Sequence, residues 1–153
     1  MIVYIDTSVI GGCLDHEFEE WSNVLFEEFK AGSKLILLSG LTLEELSFAP
    51  LPVQEKLHEV PQQNKIAIEI TDEAISLAET YIKEGALTRK SYNDALHIAI
   101  ATLSNAEVLC SWNFKHIVNL DRIRLYNSIN LRLGFKIIEI RTPREILTNN
   151  ENR

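Results

Sequence analysis

Short apolar runs rich in β-branched residues alternate with longer amphipathic stretches along this chain, and that alternation constrains its fold more than any other feature. The runs at 2–5, 34–38, 66–70, 107–110 and 136–140 predict five buried strands. The stretches between them repeat apolar residues every three or four positions, which indicates helices. Strands separated by helices build parallel βαβ units. The sequence therefore predicts an α/β fold, a three-layer α/β/α sandwich around a five-stranded parallel sheet.

The limits of several helices follow from their capping residues. Gly32 is expected to close the first amphipathic helix as a C-cap. Thr42, with Glu45 three residues later, predicts a capping box at the start of a short helix, and Pro50 and Pro52 are expected to end that helix. Further helices are predicted over 54–60, from Thr71 to about Gly85, from Thr88 or Ser91 to about Leu103, over about 121–133, and last with Pro143 in the first turn.

Length and composition fit one globular domain. The chain has 153 residues, of which 46% are apolar and 24% charged, enough apolar material for a core without disulfides or a structural metal. Its two cysteines, Cys13 and Cys110, form no CxxC pair, which is typical of a reduced intracellular protein. No targeting signal or membrane-length apolar run is visible. We expect a cytoplasmic protein with no membrane contact, a single domain over 1–148 and a flexible tail over 149–153.

Charge is unevenly distributed along the sequence. Residues 1–110 carry 7 Lys/Arg against 18 Asp/Glu, whereas 111–153 carry 8 against 4. A basic terminal stretch can meet phosphates, although runs of charge are more often solvated helix faces. The acidic body does not exclude a nucleic-acid partner, because bound divalent cations would offset part of its negative field.

Polar residues follow several of the predicted strands. Ligands of open α/β sheets bind beyond the carboxyl ends of the strands, so the residues there are the first candidates for function. They are Asp6, Thr7 and Ser8 after the first strand, Ser39, Glu44 and Glu45 after the second, and Ser111, Trp112 and Asn113 after the fourth.

Two aspartates are the strongest single candidates. Asp6 directly follows an apolar strand, where a carboxylate is costly unless it is paired or bound to a cation; its alternative role is a helix N-cap. Thr7 and Ser8 can hydrogen-bond to Asp6 or to local backbone. Asp94 leads into a nearly unbroken apolar helix, where the helix dipole gives the alternative explanation. His97 shares the helix face of Asp94 and either supports the site or is a semi-buried structural histidine.

The remaining candidates are less specific. Glu44 and Glu45 point about 100° apart on a helix, so only one of them can face a shared site, and spacing does not say which. Asn113 offers a neutral amide oxygen that can coordinate a metal or its bound water, or it forms a turn. Ser111, two residues earlier, is a supporting hydrogen-bonding residue.

Several carboxylates in one place would require a cation. Like charges repel, and without a cation one or more of the groups would take up a proton. Metal-assisted phosphodiester hydrolysis uses such a cluster: one or two Mg²⁺ or Mn²⁺ ions orient the attacking water, lower its pKa and neutralise the phosphate. Oxygen-only ligands suit these hard ions, whereas zinc recruits His or Cys.

Four segments of the sequence together resemble the PIN-domain nucleases, and especially the VapC-like toxins of bacterial and archaeal toxin–antitoxin pairs. They are 3–10 (VYIDTSVI), 38–46 (LSGLTLEEL), 94–99 (DALHIA) and 110–116 (CSWNFKH). Each segment alone is a motif of low specificity. All four follow the order and spacing of the family and together cover almost the whole chain.

The resemblance implies a PIN-like sheet of strand order 3-2-1-4-5, with the first and fourth strands central. It implies that Asp6, Glu45 rather than Glu44, and Asp94 are the catalytic metal ligands, with Asn113 at a fourth position where the family often has an aspartate. It also implies a Mg²⁺- or Mn²⁺-dependent endoribonuclease that cuts single-stranded or structured RNA, acts as a homodimer and, as a toxin, pairs with an antitoxin protein.

The departure at the fourth position leaves alternatives open. Three carboxylates are enough for one metal, whereas a neutral Asn113 puts a second metal in doubt. One alternative is therefore a catalytically weak or inactive PIN scaffold that binds RNA or a protein partner. Another is phosphoryl transfer through an Asp6 nucleophile, but that chemistry wants a second acid two residues later, where this chain has Ser8.

Overall fold

A five-stranded parallel sheet lies between two layers of helices in the computed structural model, which describes residues 1–148. The strands pair in the order β3-β2-β1-β4-β5, so the predicted fold class and strand order are confirmed. The strands are β1 (Ile2–Ile5), β2 (Leu35–Ser39), β3 (Lys65–Ile68), β4 (Val108–Cys110) and β5 (Ile140–Arg141). The α-helices are α1 (Thr7–Gly12), α2 (Glu19–Ala31), α3 (Gly40–Ser47), α4 (Leu51–His58), α5 (Asp72–Lys83), α6 (Tyr92–Leu103), α7 (Leu120–Arg132) and α8 (Pro143–Ile146). The tail predicted over 149–153 lies outside the described residues.

Alternate residues of the central strands face opposite helical layers, as the pleat of a strand requires. Tyr4 and Leu37 belong to a buried cluster with residues of α5, α6 and α7. Val3 and Ile5 belong to a second cluster with residues of α1, α2 and α4. All three residues 3–5 are fully buried, so β1 is covered on both faces and its carboxyl end is fixed in the middle of the sheet. Within residues 1–148, no helix is long and apolar enough to cross a membrane.

The cap of α3 differs from the prediction. Ser39, the last residue of β2, is the N-cap, and its hydroxyl accepts a hydrogen bond from the Thr42 amide at 3.2 Å. The helix begins directly after the strand, so the capping residue is supplied by the strand itself. The Thr42 hydroxyl instead donates to the carbonyl of Ile5, which ties α3 to the end of β1. The predicted capping box at Thr42 was therefore wrong.

The last strand also differs, being Ile140–Arg141 rather than the predicted 136–140. The side chain of Asn127 on α7 accepts from the Ile138 amide at 2.8 Å and donates to the Ile138 carbonyl. Both polar backbone groups of Ile138 are thus satisfied by a side chain rather than by a neighbouring strand. The bounds of β1 are as predicted, whereas those of β2, β3, β4 and α4, which already begins at Leu51, differ from the prediction by one to three residues.

A short helix that the sequence did not predict, α1, follows β1 directly. It contains Gly11 and Gly12, which lower helix propensity. Gly12 is needed for packing: a Cβ there would lie 2.5 Å from Ser22 Oγ and 2.7 Å from Trp112 Nε1. Trp112 donates to Ser22, and Ser22 donates to the carbonyl of Val9. These contacts join α1, α2 and the segment after β4.

Replacement of the two glycines should therefore have opposite effects. Gly12→Ala inserts a methyl group into this network and should lower the free energy of unfolding by about 1–3 kcal/mol. Gly11→Ala meets nothing within 4 Å and should be neutral or stabilising by up to about 1 kcal/mol, because alanine favours the helix. Urea denaturation followed by circular dichroism measures both. Equal stability of the two variants would contradict the packing role of Gly12.

Candidate active site

Parallel pairing brings the polar residues after β1 and β4 to the same edge of the sheet. Ile5 is in register with Cys110, so the following residues, Asp6 and Ser111, lie side by side. The Asp6 amide also donates to the Cys110 carbonyl at 3.4 Å. The sequence pattern places both residues at strand ends, and the strand order makes those two ends neighbours.

The Asp6 carboxylate is buried and is held by two hydroxyl groups. Ser8 Oγ donates to Oδ1 at 2.6 Å and Ser111 Oγ donates to Oδ2 at 2.7 Å. The residue is only 5% exposed, and burial raises the pKa of the carboxyl group, although the nearby His97 and the two serine hydroxyls oppose this increase. Asp6 occupies the N-cap position of α1, but its side chain makes no capping hydrogen bond. An ionised Asp6 therefore needs positive charge.

The same two serines also fix the backbone after β4. Ser8 Oγ accepts from the Trp112 amide and Ser111 Oγ accepts from the Asn113 amide, both at 2.9 Å. Each hydroxyl thus donates to Asp6 and accepts from the loop. Thus Ser8 and Ser111 hold the carboxylate and the loop in one arrangement.

Glu45 reaches the site from α3. Thr7 Oγ1 donates to Glu45 Oε1 at 2.8 Å, and His97 Nε2 lies 2.7 Å from the same oxygen. Burial alone would raise the pKa of Glu45, but the hydrogen bonds from His97 and Thr7 and the charge His97 can carry outweigh it and lower the pKa. Glu44 is exposed. The contact with Thr7, the residue after Asp6, favours Glu45 over Glu44 as the residue of the site. The spacing of the two adjacent glutamates could not make this choice.

Asp94 lies in the first turn of α6 and is paired with a histidine to which the sequence pattern assigns no role. His116 Nδ1 is 2.9 Å from Asp94 Oδ2, and the Ser91 hydroxyl lies 3.3 Å from the same nitrogen. Asp94 and His116 are both partly exposed, with side-chain exposures of 26% and 21%. The pair therefore stands at the solvent side of the site.

Asn113 builds the turn that places His116. Its Oδ1 accepts from the amides of Lys115 and His116, at 3.2 and 2.9 Å, and its backbone carbonyl accepts from Ile117 and Val118. An amide oxygen has two lone pairs, so both are used within the turn. Asn113 thus acts as a turn former here, and His116 occupies the position next to Asp94.

The three predicted carboxylates are gathered at one edge of the sheet but do not form a ligand cage. Each is turned to its own donors, and no three His, Cys, Asp or Glu side chains within 1–148 lie close enough together to hold a metal ion. Their chemistry does fit a hard divalent cation, since the donors are carboxylate oxygens and Asp6 is an acid buried without a lysine or arginine among its hydrogen-bonding partners.

Two residues of this region, Tyr4 and His116, were missed as functional candidates. Tyr4 lies in an apolar strand, and a buried tyrosine needs a hydrogen-bond partner, so its hydroxyl was a usable signal. The spacing Asn113-x-x-His116 matches an Asx turn, but only the tertiary fold shows that the turn delivers the imidazole to Asp94.

The raised pKa of Asp6 makes a prediction about stability. Because the folded protein holds the Asp6 proton more tightly than the unfolded chain, ionisation of Asp6 lowers stability as the pH rises above the unfolded pKa of about 4. Without divalent ions, Asp6→Asn should be more stable than the wild type at about pH 7, by about 1.4 kcal/mol for each tenfold ratio between the acid dissociation constants of the unfolded and folded states. The difference should vanish below about pH 4, where both states are protonated.

Urea denaturation in the presence of a chelator tests this expectation. Glu44→Gln, at an exposed position of α3 outside its first turn, is the control and should not change stability at either pH. An Asp6→Asn variant less stable than the wild type at neutral pH would show that Asp6 is stabilised as an anion by the protein alone.

Comparisons with known proteins agree with the fold. The family model described as PIN domain matches residues 3–117. A chain of VapBC2 from Rickettsia felis, crystallised bound to a DNA fragment from its promoter, is 19% identical with a TM-score of 0.57, covering 93% of this chain and 98% of that chain. VapC20 from Mycobacterium tuberculosis, a Sarcin-Ricin loop cleaving toxin, is 11% identical with a TM-score of 0.55, covering 90% and 98%. No curated protein matches the sequence.

At these identities the two structures support the fold alone, whereas the family model spans the residues from β1 to the turn after β4. That span includes Asp6, Glu45, Asp94 and Asn113. The chain belongs to the PIN domain family, the nuclease family that its four sequence segments resemble.

Proposed function

We propose that this chain is a divalent-metal-dependent endoribonuclease whose metal ligands are Asp6, Glu45 and Asp94. The observation that carries the proposal is the buried Asp6 carboxylate at the carboxyl end of the central strand, which has a raised pKa and a serine hydroxyl donor on each oxygen but no hydrogen-bonding lysine or arginine. Membership of the PIN domain family supports it. A structural acid at this depth is normally paired with a cationic side chain, so the site is one that a metal ion would complete.

The residues of the site have two roles, as metal ligands and as groups that hold those ligands in place. Asp6, Glu45 and Asp94 would bind the ion, while Thr7, Ser8 and Ser111 hold two of these carboxylates in place. Asn113 was expected as a fourth, neutral ligand; because both lone pairs of its oxygen are used in the turn, we assign it to shaping the loop instead.

We infer Mg²⁺ or Mn²⁺ as the ion, since three carboxylates without cysteine suit hard cations. When bound, such an ion supplies positive charge at the scissile phosphate and acidifies the attacking water. The protein contributes three negative charges to hold it and, through the paired serines, a rigid position for the innermost of them. A single ion fits the three carboxylates better than two.

We further propose that the substrate is RNA and that the protein is the toxin of a toxin–antitoxin pair, acting as a homodimer in the cytoplasm. The family assignment and the similarity of fold to VapBC2 and to the RNA-cleaving toxin VapC20 support this. The basic stretch after residue 110, including Arg122 and Arg124 on α7, provides positive charge for the phosphate backbone.

Loss of any one carboxylate should abolish cleavage. Asp6→Asn, Asp94→Asn and Glu45→Gln should each lower Mn²⁺-dependent cleavage of single-stranded RNA by at least about 100-fold, as expected when a charge at the reacting centre is removed. Glu44→Gln, one residue away but exposed, is the matched control and should retain wild-type cleavage. Full activity in Asp6→Asn or Asp94→Asn would overturn the assignment.

Metal binding distinguishes the nuclease from a PIN scaffold without catalysis. Isothermal titration calorimetry of Mn²⁺ should show binding at micromolar to millimolar concentrations, and the ion should stabilise the wild type, but not Asp6→Asn, by the amount that its affinity dictates. The absence of binding to the wild type in this range would favour the scaffold.

Expression in a bacterial host tests the toxin role. Induction of the wild type should arrest growth, and Asp6→Asn expressed to the same level should not, because arrest would require RNA cleavage. Co-expression of the protein encoded by a short neighbouring gene should restore growth if that gene encodes the antitoxin. Normal growth with the active enzyme would instead indicate a stand-alone role in RNA processing.

A further inference from the structure

A chain of buried hydrogen bonds runs from the core of the sheet to the active site. Ser39 Oγ lies 2.8 Å from the Tyr4 hydroxyl, and the Tyr4 hydroxyl lies 2.7 Å from His97 Nδ1. His97 Nε2 then meets Glu45 Oε1 at 2.7 Å. Tyr4 and Ser39 are fully buried and His97 is 2% exposed. This series of hydrogen bonds thus links β1, β2, α6 and α3 through polar groups alone.

The proton positions in this chain are constrained at its outer end. Glu45 Oε1 already accepts from the Thr7 hydroxyl at 2.8 Å, and a carboxylate can only accept hydrogen bonds at neutral pH. Nε2 of His97 must therefore carry a hydrogen. In the neutral imidazole, Nδ1 is then an acceptor and the Tyr4 hydroxyl donates to it. The single hydroxyl proton of Tyr4 is then used toward His97, so in the bond between Ser39 and Tyr4 the Ser39 hydroxyl donates.

Glu45 is fixed from two directions by this arrangement. Thr7, which follows β1, and His97, in the middle of α6, both act on Oε1. A glutamate side chain on a short helix has three rotatable bonds, and a side chain of this type loses up to about 2 kcal/mol of rotamer freedom when it is ordered. Two donors on one oxygen provide that order before any ligand arrives.

We propose that His97 is a positioning residue, which holds Glu45 in the orientation that binds the metal ion, and that Tyr4 fixes the imidazole from the core. The inference rests on the proposed function, because it assigns a purpose to the orientation of Glu45. Side chains that hydrogen-bond to ligating carboxylates and histidines tune metal affinity by about 10–100-fold.

The position of His97 on α6 adds a coupling between two ligands. Asp94 lies one turn before His97 on the same helix. One rigid element therefore carries the third ligand and the group that orients the second. Movement of α6 relative to β1 would misplace Asp94 and release Glu45 together.

The protonated nitrogen of His97 can be observed directly. In ¹H–¹⁵N spectra of the imidazole side chains, recorded on the metal-free protein at neutral pH, Nε2 of His97 should resonate at the frequency of a protonated nitrogen. Glu45→Gln should move that resonance. A His97 with a bare Nε2 would overturn the inference, because such a nitrogen cannot donate to the carboxylate.

Measurements of metal affinity distinguish a His97 that positions Glu45 from a His97 that only fills space in the core. His97→Leu keeps the volume but removes the donor, and Mn²⁺ affinity measured by calorimetry should fall about 10–100-fold. His97→Gln supplies an amide donor and should recover most of the affinity. His58→Ala, an exposed histidine on α4, is the control and should bind as the wild type does.

A second variant tests the proposal even if His97→Leu, at a buried position, fails to fold. Tyr4→Phe removes the hydroxyl that fixes the ring without touching Glu45, and should weaken Mn²⁺ binding less than His97→Leu while altering the His97 imidazole spectrum. Unchanged affinity in a folded His97→Leu and in Tyr4→Phe would overturn the positioning role. If the wild type itself fails to bind Mn²⁺, the proposed function fails, and the His97 spectrum still decides whether the imidazole holds Glu45.

Discussion

The carboxylate of Asp6 is buried at the carboxyl end of β1, and the residues around it are arranged to satisfy it. Asp6 lies where β1 leaves a core that is covered on both faces, so water is largely excluded and each oxygen must be satisfied by the protein. Ser8 lies in the following helix, and Ser111 directly follows the neighbouring strand β4. The position of that strand next to β1 is therefore a condition for burying this acid as well as a feature of the sheet.

The other two carboxylates are partly exposed, and each is held by a histidine that is fixed in a different way. Glu45 is partly exposed and is fixed by His97, whose imidazole is itself anchored in the core by Tyr4. Asp94 is exposed to a similar extent and is paired with His116, which is positioned by a local turn rather than by the core. The buried Asp6 is therefore held by hydroxyl donors, whereas each of the two partly exposed carboxylates meets an imidazole.

Much of this architecture could be predicted from the sequence, because it depends on patterns within short windows. The alternation of apolar runs and amphipathic stretches indicates the parallel sheet, and an acid placed directly after such a run identifies Asp6. The choice of Glu45 over Glu44 could not come from spacing, because the two are adjacent, and it depends on Thr7 and His97 across the fold. The short final strand was misplaced for a similar reason: Asn127, on another element, binds the backbone of Ile138.

The hydrogen bond between Ser111 and Asp6 joins residues 105 positions apart in the chain. During synthesis the first strand leaves the ribosome long before β4 does, so Asp6 has no partner from that strand until most of the protein has been made. Asp94 and Ser111 likewise arrive late, and the carboxylates cannot be gathered earlier. A nascent chain that lacks Ser111 therefore holds an acid whose second oxygen has no hydroxyl donor, so the base of the site is completed only after the last central strand has been made.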